Sequence, residues 1–167
     1  KVNPPNRLIG NFAFEVNGRS ISTDLFVSEI SGVPVYLLDN EFINHDSPVY
    51  HGDWVLDGMK YVTFSLALLE ALRYLDWKID ILHANDWHTA LSLHALKTTY
   101  TDDPFFAGVK TILSVHNLPF NGWGSQEAMI SLGLEPSSEP DLPDWAKFTP
   151  LPMGLPASDV FIAVSPN

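Results

Sequence analysis

The chain has 167 residues, 46% of them hydrophobic, with a mean hydropathy near zero, enough for one domain with a real core. Twenty acidic against nine basic residues leave a formal net charge of −11. That argues against a nucleic-acid partner or an anionic membrane, both of which need a basic face, and leaves a neutral partner open. The absence of cysteine removes disulfide frameworks and thiolate metal sites. No apolar run reaches membrane-spanning length and no secretory signal is visible. A first residue of Lys1 in place of methionine suggests a piece of a longer protein.

In chain order, Lys1 to Asn6 reads as a loose lead-in. Leu8 to Phe14 and Ser20 to Ile30 read as two strands around Asn17-Gly18, because both turn residues tolerate positive φ and alternating apolar positions flank them. Val33 to Leu38 is a third strand. Glu41 to Asp57 is a polar, aromatic loop carrying Tyr50, His51, Trp54 and Asp57. It reads either as an ordinary surface loop or as a lip on which sugar rings stack. Gly58 to Tyr74 is too apolar for a surface helix and is expected to lie against the sheet.

Ile79-Asp80-Ile81-Leu82-His83-Ala84-Asn85-Asp86-Trp87-His88-Thr89-Ala90-Leu91 is the organising stretch. Ile79, Ile81 and Leu82 suit a strand covered on both faces. Asn85 or Asp86 is expected to cap the helix that follows, whose apolar side is Leu91, Leu93 and Leu96. His83, Asn85, Asp86 and His88 then gather at the carboxyl end of a parallel strand, where open α/β sheets bind ligands. Thr101 to Pro104 is a turn and Lys110 to His116 the next parallel strand. Leu118 to Trp123 is a Gly- and aromatic-rich loop. Ser125 is expected to cap a short helix ending near Gly133. Glu135 to Pro152 has no period and reads as a surface excursion. Leu151 to Leu155 is a short helical turn, and Val160 to Val164 a last buried strand. Short strands alternating with helices predict an α/β fold, a Rossmann-like parallel sheet flanked by helices, with an N-terminal β-hairpin.

Three stretches carry a resemblance: His83-Ala-Asn-Asp-Trp-His-Thr-Ala-Leu91, Thr111-Ile-Leu-Ser-Val-His-Asn-Leu-Pro-Phe-Asn-Gly122, and Ala157-Ser-Asp-Val-Phe-Ile-Ala-Val-Ser-Pro166. In that order and spacing they resemble the bacterial glycogen synthases and plant starch synthases of glycosyltransferase family 5, from about Val33 to Asn167. The resemblance implies part of a retaining glucosyltransferase of the GT-B type. Such an enzyme moves glucose from ADP-glucose or UDP-glucose to the non-reducing end of an α-1,4-glucan. It implies no metal and no cofactor beyond the sugar nucleotide as co-substrate. It also implies a cytoplasmic location, or a plastid in a plant. Residues 1–167 would be one partial domain on the acceptor side. The family's first strand and lysine-x-glycine-glycine phosphate loop have no counterpart here, since the chain has no Gly-Gly pair. The C-terminal nucleotide-binding domain is also absent, so the fragment alone should be inactive. Where the family places an arginine-phenylalanine pair near the donor, this chain has Thr63-Phe64.

Carried residue by residue, the resemblance makes His116 the histidine that contacts the transferred glucose, and Asp86 a carboxylate that bonds sugar hydroxyls and stabilises positive charge at the reacting carbon. Asn117, Trp87 and Asp57 are the further substrate-binding candidates. Each has a plainer reading: His116 as a hydrogen-bonded strand end, Asp86 as a helix cap, Trp87 as packing against the sheet. His83, Asp86 and His88 are possible metal-ligand types, but they fall on different elements, and His51 and His94 read as structural. A non-catalytic α-glucan-binding module of the same fold is the competing reading, favoured by the missing phosphate loop and the aromatic stretches 50–54 and 120–123. A UDP-sugar transferase is a third. No Ser-His-Asp or Gly-x-Ser-x-Gly arrangement supports a hydrolase.

Overall fold

The computed structural model describes residues 6–164. The expected lead-in lies outside those residues except for Asn6. The first unit is an antiparallel sheet of β1 (Arg7–Val16), β2 (Arg19–Ile30) and β3 (Val33–Asp39), in that order. Asn17 and Gly18 both have positive φ, 50° and 74°, as the tight turn between β1 and β2 requires. Alternation does the rest. Phe12, Phe14 and Val16 on β1, with Ile21, Thr23 and Leu25 on β2, point into the core.

α1 (Trp54–Tyr74) begins one turn earlier than the apolar pattern suggests. Asp53 causes this: its Oδ1 accepts the N–H groups of Val55 and Leu56, supplying the acceptor that a helix start lacks. Asp57 therefore sits in the first helical turn and not in the loop. α1 packs its apolar side against the antiparallel sheet and against α2 (Asp86–Lys97) and α3 (Gln126–Ser131), rather than mainly on the parallel sheet.

The second sheet is parallel, in the order β4 (Ile81–Asn85), β5 (Lys110–Val115), β6 (Val160–Ala163). Its inner face, with Ala84 and Leu113, packs on Trp87, Ala90, Leu93 and Leu151. Its other face has no covering layer among the described residues. This corrects the expectation that β4 and β6 are buried strands: Ile81 is 55% exposed, and all four residues of β6 are exposed.

Two further expectations change. Ser125 does not cap α3. Its own backbone is helical (φ −76°, ψ −4°), which leaves its buried Oγ without a partner. Residues 135–145 are the exposed excursion expected, except for Ser137 and Leu142, but Ala146 and residues 149–152 are buried, and the Ser137 N–H bonds the Lys147 C=O at 2.9 Å. The stretch ends in α4 (Pro150–Ala157), longer than the turn expected over 151–155. Pro150 and Pro152 fall in the first turn of α4, where a missing N–H leaves no bond unmade.

His94 on α2 is 7% exposed, and burial lowers its pKa. The unfolded chain thus takes up this proton first, so the contribution of His94 to stability is lost as pH falls below about 6.5. Thermal unfolding at pH 7.5 and 5.5 checks this: the acid-induced drop in midpoint should be smaller for His94→Gln than for the unaltered protein.

Candidate active site

The site forms where β4 and β5 end. β4 passes into α2 with no intervening loop, and Asp86 makes the corner with φ +53°, a left-handed conformation that Asp tolerates better than most residues. Neither Asn85 nor Asp86 caps α2 through its side chain. Instead, Asp86 Oδ1 reaches across to the end of β5. There it accepts the N–H of His116 at 2.7 Å and of Asn117 at 3.2 Å. One carboxylate oxygen thus pins the turn that carries both candidate residues. Its position in the first turn of α2 suits a negative charge.

A second anchor comes from the 40–53 loop. His51 donates its backbone N–H to Asp57 Oδ1 at 2.8 Å, and its Nδ1 lies 2.9 Å from the same oxygen. Tyr50 Oη is 2.6 Å from His88 Nε2. Burial lowers the His88 pKa, with Asp86 opposing the shift, so the ring is neutral at neutral pH. Tyr61 donates to Val49 C=O at 2.7 Å, and burial, with Tyr50 and Asp57 nearby, pushes its hydroxyl up to about 12. The loop is therefore a fixed lip held to both helices.

Between lip and strand ends lies an open cavity of about 550 Å³. Tyr50, Trp54, Trp87 and Phe120 form its aromatic walls, and Asp57, Asp86, His88 and Asn117 supply polar groups. The size and mix suit a small organic ligand, and the aromatic faces with hydroxyl-bonding groups suit a sugar. Trp87 is 4% exposed and packs edge-on against Tyr61, ring centroids 4.8 Å apart, so it is both core and wall.

Four of the five expected residues (Asp57, Asp86, Trp87 and Asn117) meet in this cavity. His116 stands beside it, facing a neighbouring hollow lined by Leu118, Leu155 and Phe161. Asp57 lines the cavity, but its Oδ1 already holds His51. His83 and His88 diverge, His83 Nε2 to Ser114 Oγ at 2.8 Å and His88 to Tyr50, and no group of three metal-ligand side chains forms among the described residues. The sequence gathers His88 with Asp86 at the strand end and among the metal-ligand types, but not among the substrate-binding candidates. Its place two residues after Asp86, in the first turn of α2, was the available signal for a wall residue.

A parallel α/β sheet bearing a fixed site at its carboxyl edge, with an antiparallel hairpin sheet before it, defines a Rossmann-like α/β domain. The chain belongs to the starch synthase catalytic domain family, whose model matches residues 4–167. It is 37% identical over 143 residues to the glycogen synthase of Bacillus cereus strain B4264, covering 83% of this chain and 29% of that protein. The glycogen synthase of Clostridium perfringens strain 13 is 38% identical over 122 residues, covering 72% and 25%. The catalytic domain of starch synthase IV from Arabidopsis thaliana, solved with ADP and acarbose, superposes with a TM-score of 0.80 at 20% identity, covering 99% of this chain and 35% of that one. The chain thus spans 25–35% of the length of these relatives. No described helix is long and apolar enough to cross a membrane.

Proposed function

We propose that this chain is the acceptor-side part of a glucosyltransferase that extends an α-1,4-glucan from ADP-glucose with retention of configuration. The observation that carries the reading is the Asp86 clamp, which holds the His116–Asn117 turn at the rim of an aromatic cavity. The glycogen synthase relatives support the reaction class, and the relative solved with ADP and acarbose supports the pairing of a nucleotide with a saccharide.

In this reading the cavity takes the acceptor glucan. Trp54 and Phe120 offer exposed aromatic faces, and the Asn117 amide holds a sugar hydroxyl. The His116 imidazole contacts the transferred glucose. Asp86 positions that turn and lends negative charge to an oxocarbenium-like transition state, without acting as a nucleophile. The sugar nucleotide is a co-substrate and no other cofactor takes part. The nucleotide pocket belongs to the remainder of the polypeptide.

Label transfer to glycogen by the full-length gene product tests this, with ADP-glucose and UDP-glucose as competing donors. Transfer from ADP-glucose that excess UDP-glucose leaves undiminished is the expected result. Suppression by UDP-glucose would reassign the donor. No transfer from either would leave the glucan-binding module, which the exposed Trp54, Phe120 and Trp123 favour. That module predicts a change in tryptophan fluorescence with millimolar maltooligosaccharide.

A further inference from the structure

We infer that Asn85 is a positioning residue for the His116 ring, a role that rests on the reading of His116 as the group facing the transferred sugar. Asn85 occupies the N-cap position of α2, where an Asn side chain ordinarily bonds the first-turn N–H groups of its own helix. Here it makes no such bond. Thr89 serves the Asn85 backbone instead: its Oγ1 accepts the Asn85 N–H at 2.7 Å and donates to the Asn85 C=O at 2.9 Å. The corner is thereby fixed without the Asn85 side chain.

That side chain turns the other way, onto the uncovered face of the parallel sheet. Its Oδ1 lies 3.2 Å from His116 Nε2. Sheet geometry produces the contact. Asn85 pairs with Ser114 in register, and His116 is two residues further along the same strand direction. The same diagonal step occurs one repeat earlier, where His83 pairs with Ile112 and bonds Ser114. The Asn85–His116 contact thus follows a step that the sheet already uses.

The chemical consequence is specific. An amide oxygen only accepts, so the bond requires the His116 proton on Nε2. That leaves Nδ1 as a bare acceptor for a hydroxyl donated by a sugar. Asp86 holds the backbone of His116 and Asn85 holds its ring, so consecutive residues fix both position and tautomer. An alanine at position 85 would leave the corner and the backbone clamp in place and free the ring alone.

The test uses the full-length gene product with ¹⁵N-labelled histidine rings, the His116 signals being those lost in His116→Ala. The unaltered protein should show His116 protonated at Nε2. Asn85→Ala should show an average of the two tautomers, a kcat about tenfold lower, and a glucan KM within about twofold of normal. Asn85→Asp keeps an acceptor oxygen and should restore both the ring signals and most of kcat. On a His116→Ala background, Asn85→Ala should cost nothing further. Ring signals unchanged by Asn85→Ala would overturn the inference, and so would a full additive loss on the His116→Ala background. Near-normal transfer by His116→Ala, with ring signals that still respond to Asn85, would overturn the catalytic reading of His116 and this role with it.

Discussion

Replacing Asp86 with alanine in the full-length gene product is expected to lower glucosyl transfer by at least ~100-fold while leaving the protein folded. Three losses coincide. Alanine at φ +53° pays about 1–2 kcal/mol of left-handed strain that Asp avoids through its short polar side chain. The N–H groups of His116 and Asn117 lose their shared acceptor, and the turn relaxes. The negative charge at the carboxyl edge disappears. Water can replace the acceptor at this exposed turn, so the stability loss stays near the strain term, whereas a displacement of about 1 Å in His116 suffices for the rate loss. Asp86→Asn separates the causes. Asn also tolerates this φ and keeps an accepting oxygen, so only the charge goes, and a loss of roughly tenfold is expected. Initial rates with ADP-glucose and glycogen, beside a far-ultraviolet circular dichroism melt, measure both quantities. If Asp86→Ala keeps more than about half the normal rate, the clamp has no catalytic role.

Gly154→Leu is expected to destabilise the fold more than any exposed substitution. α4 lies against α2 at Gly154 so closely that an added Cβ would stand 2.7 Å from Ala90 Cβ and 2.8 Å from Ala90 O. The opposing atoms include backbone, which cannot rotate away as a side-chain tip can. A methyl alone should cost about 1–3 kcal/mol, and an isobutyl group must push the two helices apart. The seam that opens contains Leu93 and Leu151, both fully buried, and underlies Trp87 in the cavity wall. The control is Gly18→Ala, where no atom lies within 4 Å of the added Cβ and only the positive φ opposes the change. About 1 kcal/mol is expected there. Thermal midpoints of the two variants in one buffer decide the matter: equal shifts would show that the α2–α4 seam yields freely.

Much of this molecule was legible in local pattern. Alternation over residues 7–30 with Asn17-Gly18 between gave the hairpin, and short aliphatic runs before polar corners gave β4 and β5. Asp86 could be placed at a strand end because a strand end is a local feature, whereas Trp87 and Asn117 were nominated through the family resemblance. Starch synthase membership was legible too, in the three ordered stretches. What each side chain does was not. Asp86 has the composition of a cap, yet it bonds His116, 30 residues on. Tyr50 meets His88 across 38 residues, and Asn85 meets His116 across 31.

Local periodicity encodes which face of a segment is apolar, because neighbours along the chain share a backbone geometry. It carries no register between strands and no angle between helices. Local pattern was therefore sufficient for most element types, and the three ordered stretches for the family and the candidate residues of the site. Tertiary structure alone decided that Asp86 clamps rather than caps, that Asp57 is held by His51, that His116 stands at the rim, and that one face of the parallel sheet has no covering layer among the described residues. Each depends on which strand lies beside which and at what offset, a long-range choice set by the packing of the whole core.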